Sequence, residues 1–148
     1  MARDALQLVY EQREKQVEQA LQAYQRAQQS LFQQRQQLQS LHDYRRQYID
    51  QLRDKGNQGL SIEDLKKYQQ FIVQIDQGVT KHQNGLVKFE YDVVAHKKMW
   101  IEAQVACKAL GMLLDKKAKK RAKLEDKKEQ MLLDEFATFQ HFQKQSGL

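Results

Sequence analysis

The stretch Asp54-Lys55-Gly56-Asn57-Gln58-Gly59 is the one interruption in an apolar repeat that otherwise runs nearly the whole chain. Gly56 and Gly59 permit a chain reversal, and Ser61-Ile62-Glu63-Asp64 has the Ser-x-x-acid form that opens a helix. Leu60 and Leu65 stand just before that cap and four residues after it, the positions of a hydrophobic staple. A reversal this short makes the flanking helices antiparallel neighbours.

Outward from the turn, apolar residues recur at alternating steps of three and four. The first segment carries them from Leu6 through Tyr24, Leu31 and Leu38 to Leu52. The second carries them from Leu65 through Ile75, Phe89 and Trp100 to Leu114. This spacing keeps one stripe facing a partner helix along a left-handed supercoil. The expected fold is all-α, two long helices forming an antiparallel coiled-coil hairpin, the second longer than the first. The expected layout is a single coiled-coil domain over 1–148: helix 1 about 4–53, turn 54–61, helix 2 about 62–142. Taking the turn at its centre, facing residues have numbers that sum to 113. Leu38 then meets Ile75, Leu31 meets His82, Tyr24 meets Phe89 and Leu6 meets Cys107. A slip of one heptad also satisfies the facing rule, but needs a longer or more asymmetric turn. On the first register the first helix is exhausted near Leu110, and Gly111 marks the start of an overhang at about 111–148.

Composition agrees with long helices. Proline is absent from all 148 residues, and one interior proline costs a helix about 3 kcal/mol. Glutamine fills 15 of the first 51 positions, yet the apolar residues hold register through that stretch. It therefore reads as a solvated helix face and not as a disordered tract. The lone cysteine, Cys107, lies on the apolar stripe as a small hydrophobe, and one cysteine gives no disulfide framework. No run of about 18 apolar residues occurs, so membrane contact would be peripheral.

Charge marks one candidate surface. The formal net charge is +6, and the segment from Asp115 to Lys128 supplies most of it through Lys116, Lys117, Lys119, Lys120, Arg121, Lys123, Lys127 and Lys128, against only Asp115, Glu125 and Asp126. Such a helix can meet an acidic protein, an anionic membrane surface or nucleic acid, or simply be a solvated face. No aromatic residue interleaves these cations, which weakens a nucleic-acid reading. Beyond them Leu124, Met131, Leu132, Phe136, Phe139 and Phe142 form an intermittent apolar face.

A second surface comes from edge geometry. Gln37, Leu41, Tyr44 and Tyr48 follow at steps of four, three and four along the first helix. Phe71, Ile75, Gly78 and His82 repeat the pattern on the second. In an antiparallel pair these edges lie side by side near the turn, with Tyr44 level with Phe71 and Gln37 with Gly78. The result is either an apolar protein-binding patch or the flank of a widened seam. His42, His82, His96 and His141 have no metal-ligand spacing, and there is no phosphate loop or nucleophile elbow. No catalytic residue, cofactor or metal site is expected, and the chain reads as a non-enzyme.

At Asp43-Tyr44-Arg45-Arg46-Gln47-Tyr48, Tyr68-Gln69-Gln70-Phe71-Ile72 and Trp100 with Lys108-Ala109-Leu110, the chain resembles the FliJ family of flagellar export chaperones. Gln130, Asp134, Glu135 and Ala137 continue the likeness toward the C-terminus. The resemblance implies a component of flagellar type III protein export that serves motility and chemotaxis. It would be a cytoplasmic coiled coil similar to the gamma stalk of F-type ATP synthase, peripherally associated with the bacterial cell membrane at the flagellar base. The implied partners are the hexameric export ATPase FliI, the export gate FlhA and export chaperones that the protein helps recycle. The family's gate-binding surface carries over to Gln37, Leu41, Tyr44, Tyr48, Phe71, Ile75, Gly78 and His82, with Ile75 and Gly78 differing in size from the family pattern. The alternatives from the residues alone are a nucleic-acid-binding arm using the basic helix, or a passive structural tether.

Overall fold

The structure, a computed structural model, describes residues 2–146, with side chains from 5 onward. Two helices account for almost all of it: α1, Ala2–Gln58, and α2, Ile62–Ser146. They are 57 and 85 residues long, and no strand occurs among the described residues. The expected all-α class, with two long helices packed on each other and the second longer, is what is found.

The turn is shorter and later than its sequence suggests. α1 continues through Asp54–Gln58, residues that look like turn, and the reversal is confined to 59–61. A glycine inside a helix costs about 1 kcal/mol relative to alanine but does not end it, so the helix runs on past Gly56. Gly59 ends it instead. Its φ of 95° lies in the left-handed region that L side chains avoid, and its N–H donates to the Gly56 carbonyl at 3.3 Å. Ser61 then caps α2: its Oγ accepts from the Asp64 N–H at 3.2 Å, and its carbonyl from the Leu65 N–H at 3.0 Å.

Moving the reversal changes the pairing. A loop between Gln58 and Ile62 is centred on residue 60, so facing numbers should sum to about 120, one heptad beyond the symmetric-turn estimate. The contacts follow the slipped register. Tyr48 stacks on Phe71, Arg45 pairs with Asp76, and Tyr24 stacks on Trp100 and not on Phe89.

Contacts divide the chain into two compact units, Gln16–Ala103 and, separately, the residues up to Lys15 with those from Gln104 onward. In the first unit Leu31, Ile75 and Val79 are the buried apolar side chains. So small a core follows from the architecture, because each helix of a two-helix pair is covered along one side only. Each such side chain contributes on the order of 1.5–3 kcal/mol. In the second unit Gly111 receives the Tyr10 ring: a Cβ there would lie 3.1 Å from Tyr10 Cε2. Gly111 is therefore a packing contact and not the point where the partner ends. Leu114 is still half-buried, and every residue from Asp115 to Ser146 is exposed while α2 stays helical. The overhang begins about four residues later than 111 for the same reason that the turn moves.

Candidate functional site

Tyr48 is the centre of the aromatic face. Its ring lies 4.9 Å from that of Phe71, nearly parallel at 16°, 5.1 Å from Tyr68 and 5.9 Å from Tyr44. Tyr44 and Tyr48 are four apart on α1 and Tyr68 and Phe71 three apart on α2, so each pair projects from one helix face. Tyr48 and Tyr68 are half-buried, whereas Tyr44 is 46% and Phe71 40% exposed. The outer two rings are thus held by inner ones, which limits the ordering cost of any partner that docks on them.

The slipped register puts Tyr48, and not Tyr44, level with Phe71. Tyr44 instead joins Gln37, Leu41 and His82 around an open groove completed by Gln33, Gln36 and Ser40. Of the eight expected patch residues, these four line the groove, and Tyr48 and Phe71 belong to the adjoining ring cluster. Ile75 is buried beneath, one of the three core side chains. Gly78 is half-buried with no atom within 4 Å of where a Cβ would stand.

Four residues at this face were not legible as site members. Arg45 Nε donates to Asp76 Oδ1 at 2.5 Å, and Arg45 Nη2 to Asp76 Oδ2 at 3.5 Å, a two-pronged bond between the helices. Arg45 reads as a polar intruder on the seam, and a charge there calls for an opposite charge nearby. The wrong register hides Asp76 as that partner. Tyr68 reads only as a seam residue, although its spacing from Phe71 was a usable signal. Lys55 lies over the Tyr68 ring, Nζ 5.2 Å from its centroid. A hydrogen bond with the Tyr68 hydroxyl holds the ammonium above the usual lysine value.

Farther along the same unit, Tyr24 stacks on Trp100 at 5.6 Å, and the Trp100 Nε1–H is buried with no hydrogen-bond partner among the described residues. Phe89 and His96 lie close to it in sequence and line a small groove with Ala23, Arg26, Ala27, Ser30 and Asp92. His42 is half-buried, and His141 is exposed beside Gln145, its Nε2 3.3 Å from the amide nitrogen. Among the described residues no three His, Cys, Asp or Glu side chains gather as a metal site would require. Cys107 is a half-buried free thiol.

In the other unit the basic cluster is a solvated helix surface. Lys116, Lys117, Lys119, Lys120, Arg121, Lys123, Lys127 and Lys128 are all exposed, and Lys119 pairs with Asp115 at 3.3 Å on the same helix. Such an i,i+4 pair is worth a few tenths of a kcal/mol. Beyond it Leu124, Met131, Leu132, Phe136, Phe139 and Phe142 are each more than half exposed. No helix among the described residues is long and apolar enough to cross a membrane.

Comparison with known proteins finds relatives that match almost the full length of the chain. A family model described as the flagellar FliJ protein matches residues 1–146. The flagellar FliJ protein of Salmonella typhi is 26% identical over 133 residues, 90% of either chain. That of Escherichia coli (strain K12) is 27% identical over 124 residues, 84% of either chain.

Proposed function

The chain belongs to the FliJ family of flagellar proteins, and from that premise we propose that it is a non-enzymatic component of flagellar type III export. In this reading it is a general chaperone and coupling element that links the FliI export ATPase ring to the FlhA export gate and helps recycle export chaperones. It works in the cytoplasm, in peripheral contact with the membrane at the flagellar base. The observation that carries the reading is the exposed pair Tyr44 and Phe71, anchored on half-buried Tyr48 beside the Gln37–Leu41–His82 groove. Aromatic side chains that are exposed yet held in place are the usual anchors of protein interfaces. We assign this face to the gate. The exposed segment from Asp115 onward, with its lysines and its phenylalanines, is assigned to the ATPase and to acidic groups on a chaperone.

The test is a pull-down of the purified chain against the export ATPase and against the cytoplasmic domain of the gate. A variant carrying Tyr44→Ala and Phe71→Ala should lose the gate and keep the ATPase, with helicity unchanged. Equal loss of both interactions would overturn the assignment of two separate surfaces. Salt-sensitive binding of DNA or RNA through the Lys116–Lys128 helix, with no effect on either protein partner, would favour a nucleic-acid arm.

A further inference from the structure

Of the four histidines, only His82 lines the groove beside Tyr44, and every other side chain in that groove is formally uncharged: Gln33, Gln36, Gln37, Ser40, Leu41 and Tyr44. His96 differs, because its own groove also holds Arg26 and Asp92. The His82 imidazole is half-buried, and among the described residues it has no hydrogen bond or ion pair. The charges on both helices are placed away from it. On α1, Arg35, His42 and Arg46 project roughly 150° or more around the helix from the groove strip. Arg45 is tied to Asp76, and Arg35 meets Glu90. Asp43, on the outer flank of α1, accepts from the Gln39 amide at 3.1 Å. On α2, Asp76 and Lys81 belong to a different groove, with Val73, Gln77, Thr80 and Asn84. The charges that flank His82 on the groove side of α2, Lys81 and Lys88, are both positive. A proton on His82 therefore meets no carboxylate in the groove.

Histidine is the side chain whose charge ordinarily changes between pH 5 and 8. While the groove is open, water solvates both forms of the ring. A partner that covers the groove removes that water, and burial disfavours a charged imidazole that has no counter-charge. The neutral ring instead offers one donor and one acceptor beside the amides of Gln33, Gln36 and Gln37. The groove is thus a wholly neutral hydrogen-bonding and apolar surface when His82 is unprotonated, and a cationic one when it is not.

We infer that this groove holds its partner tightly only while His82 is neutral, so that gate docking weakens as His82 takes up a proton. The inference rests on the assignment of the groove to the gate and adds to it a dependence on pH.

The test is calorimetric titration of the full chain with the cytoplasmic domain of the gate, at steps from pH 8 to pH 5.5. Affinity should fall several-fold and approach a tenfold loss at the acid end, where an ordinary imidazole is about nine-tenths protonated. His82→Gln, whatever its own affinity, should bind with the same strength across that range, and His82→Lys should bind weakly throughout. An NMR titration of the His82 ring should give a lower midpoint with the gate domain bound than without it, and this decides the matter if His82→Gln binds too weakly to measure. Binding that is constant or strengthens toward acid overturns the inference and leaves the gate assignment standing. So does a pH dependence that survives in His82→Gln, or a midpoint that is unchanged or raised on binding. No binding at any pH overturns the gate assignment itself, and the inference with it.

Discussion

Tyr48 of α1 stacks on Phe71 of α2 with ring centroids 4.9 Å apart, and this contact ties the exposed aromatic face to the packing of the hairpin. Tyr48 is half-buried and touches three rings, whereas Tyr44 touches one and is nearly half exposed. Tyr48→Ala should therefore lower unfolding stability by about 2–3 kcal/mol, somewhat less than a fully buried aromatic. Tyr44→Ala should cost less than about 1 kcal/mol. Urea unfolding followed by circular dichroism measures both. Comparable losses would mean that the two tyrosines share one structural role.

Arg45 and Asp76 join the helices beside that face, but their side chains are 39% and 49% exposed. Solvent screening then leaves the pair at most about 1 kcal/mol despite its two-pronged geometry. A double-mutant cycle with Arg45→Ala and Asp76→Ala should give a coupling energy in that range. Raising salt to about 1 M should remove most of it. A larger, salt-independent coupling would show that the pair is more desolvated than its exposure indicates.

Lys55 binds across the start of the turn to Tyr68, and its ammonium is held above the ordinary lysine value of 10.5 by hydrogen bonding to the Tyr68 hydroxyl. A folded-state value raised above the unfolded one means that the contribution is fully present below the unfolded value. It is lost as pH rises through the folded value. The contact should therefore persist at neutral pH and fail only in strong alkali. An NMR titration of Lys55 should give a midpoint above that of free lysine, and Tyr68→Phe should bring it back. An unshifted midpoint in the parent chain would show that the contact is not populated.

Much of this molecule was legible before its structure. The alternation of three and four from Leu6 to Leu114 demands two facing helices, and Ser61 with Asp64 marks the start of α2 because a side-chain oxygen must satisfy a free N–H there. Register was harder, because Gly56 and Gly59 both look able to break a helix and only the second does. That choice moves the turn's centre, and every facing pair moves by a heptad with it. Heptad arithmetic cannot detect such a slip, since it maps seam residues onto seam residues. The edge argument survives it, because a whole heptad keeps each residue on its own edge. Tyr44, Tyr48 and Phe71 accordingly fall on one face although the level pair is Tyr48 with Phe71. Arg45–Asp76 depends on register and could not be read.

The glycines give a direct check on that register, because three of them stand in different surroundings. Gly85 is an exposed residue inside α2 with no atom within 4 Å of an added Cβ. Gly85→Ala should raise stability by about 0.5–1 kcal/mol, since it only reduces the freedom of the unfolded chain. Gly111 has the same helical backbone, but its Cβ would stand 3.1 Å from Tyr10 Cε2. The ring must yield a few tenths of an ångström, so Gly111→Ala should fall short of the Gly85 gain. Tyr10→Ala should restore that gain in the double variant, relative to Tyr10→Ala alone. Gly59→Ala should instead cost about 1 kcal/mol, because a φ of 95° strains any L side chain even with open space around it. Thermal unfolding of the five variants would measure the set. Equal gains at Gly85 and Gly111 would place Tyr10 elsewhere, and with it the pairing of α1 and α2 within that unit.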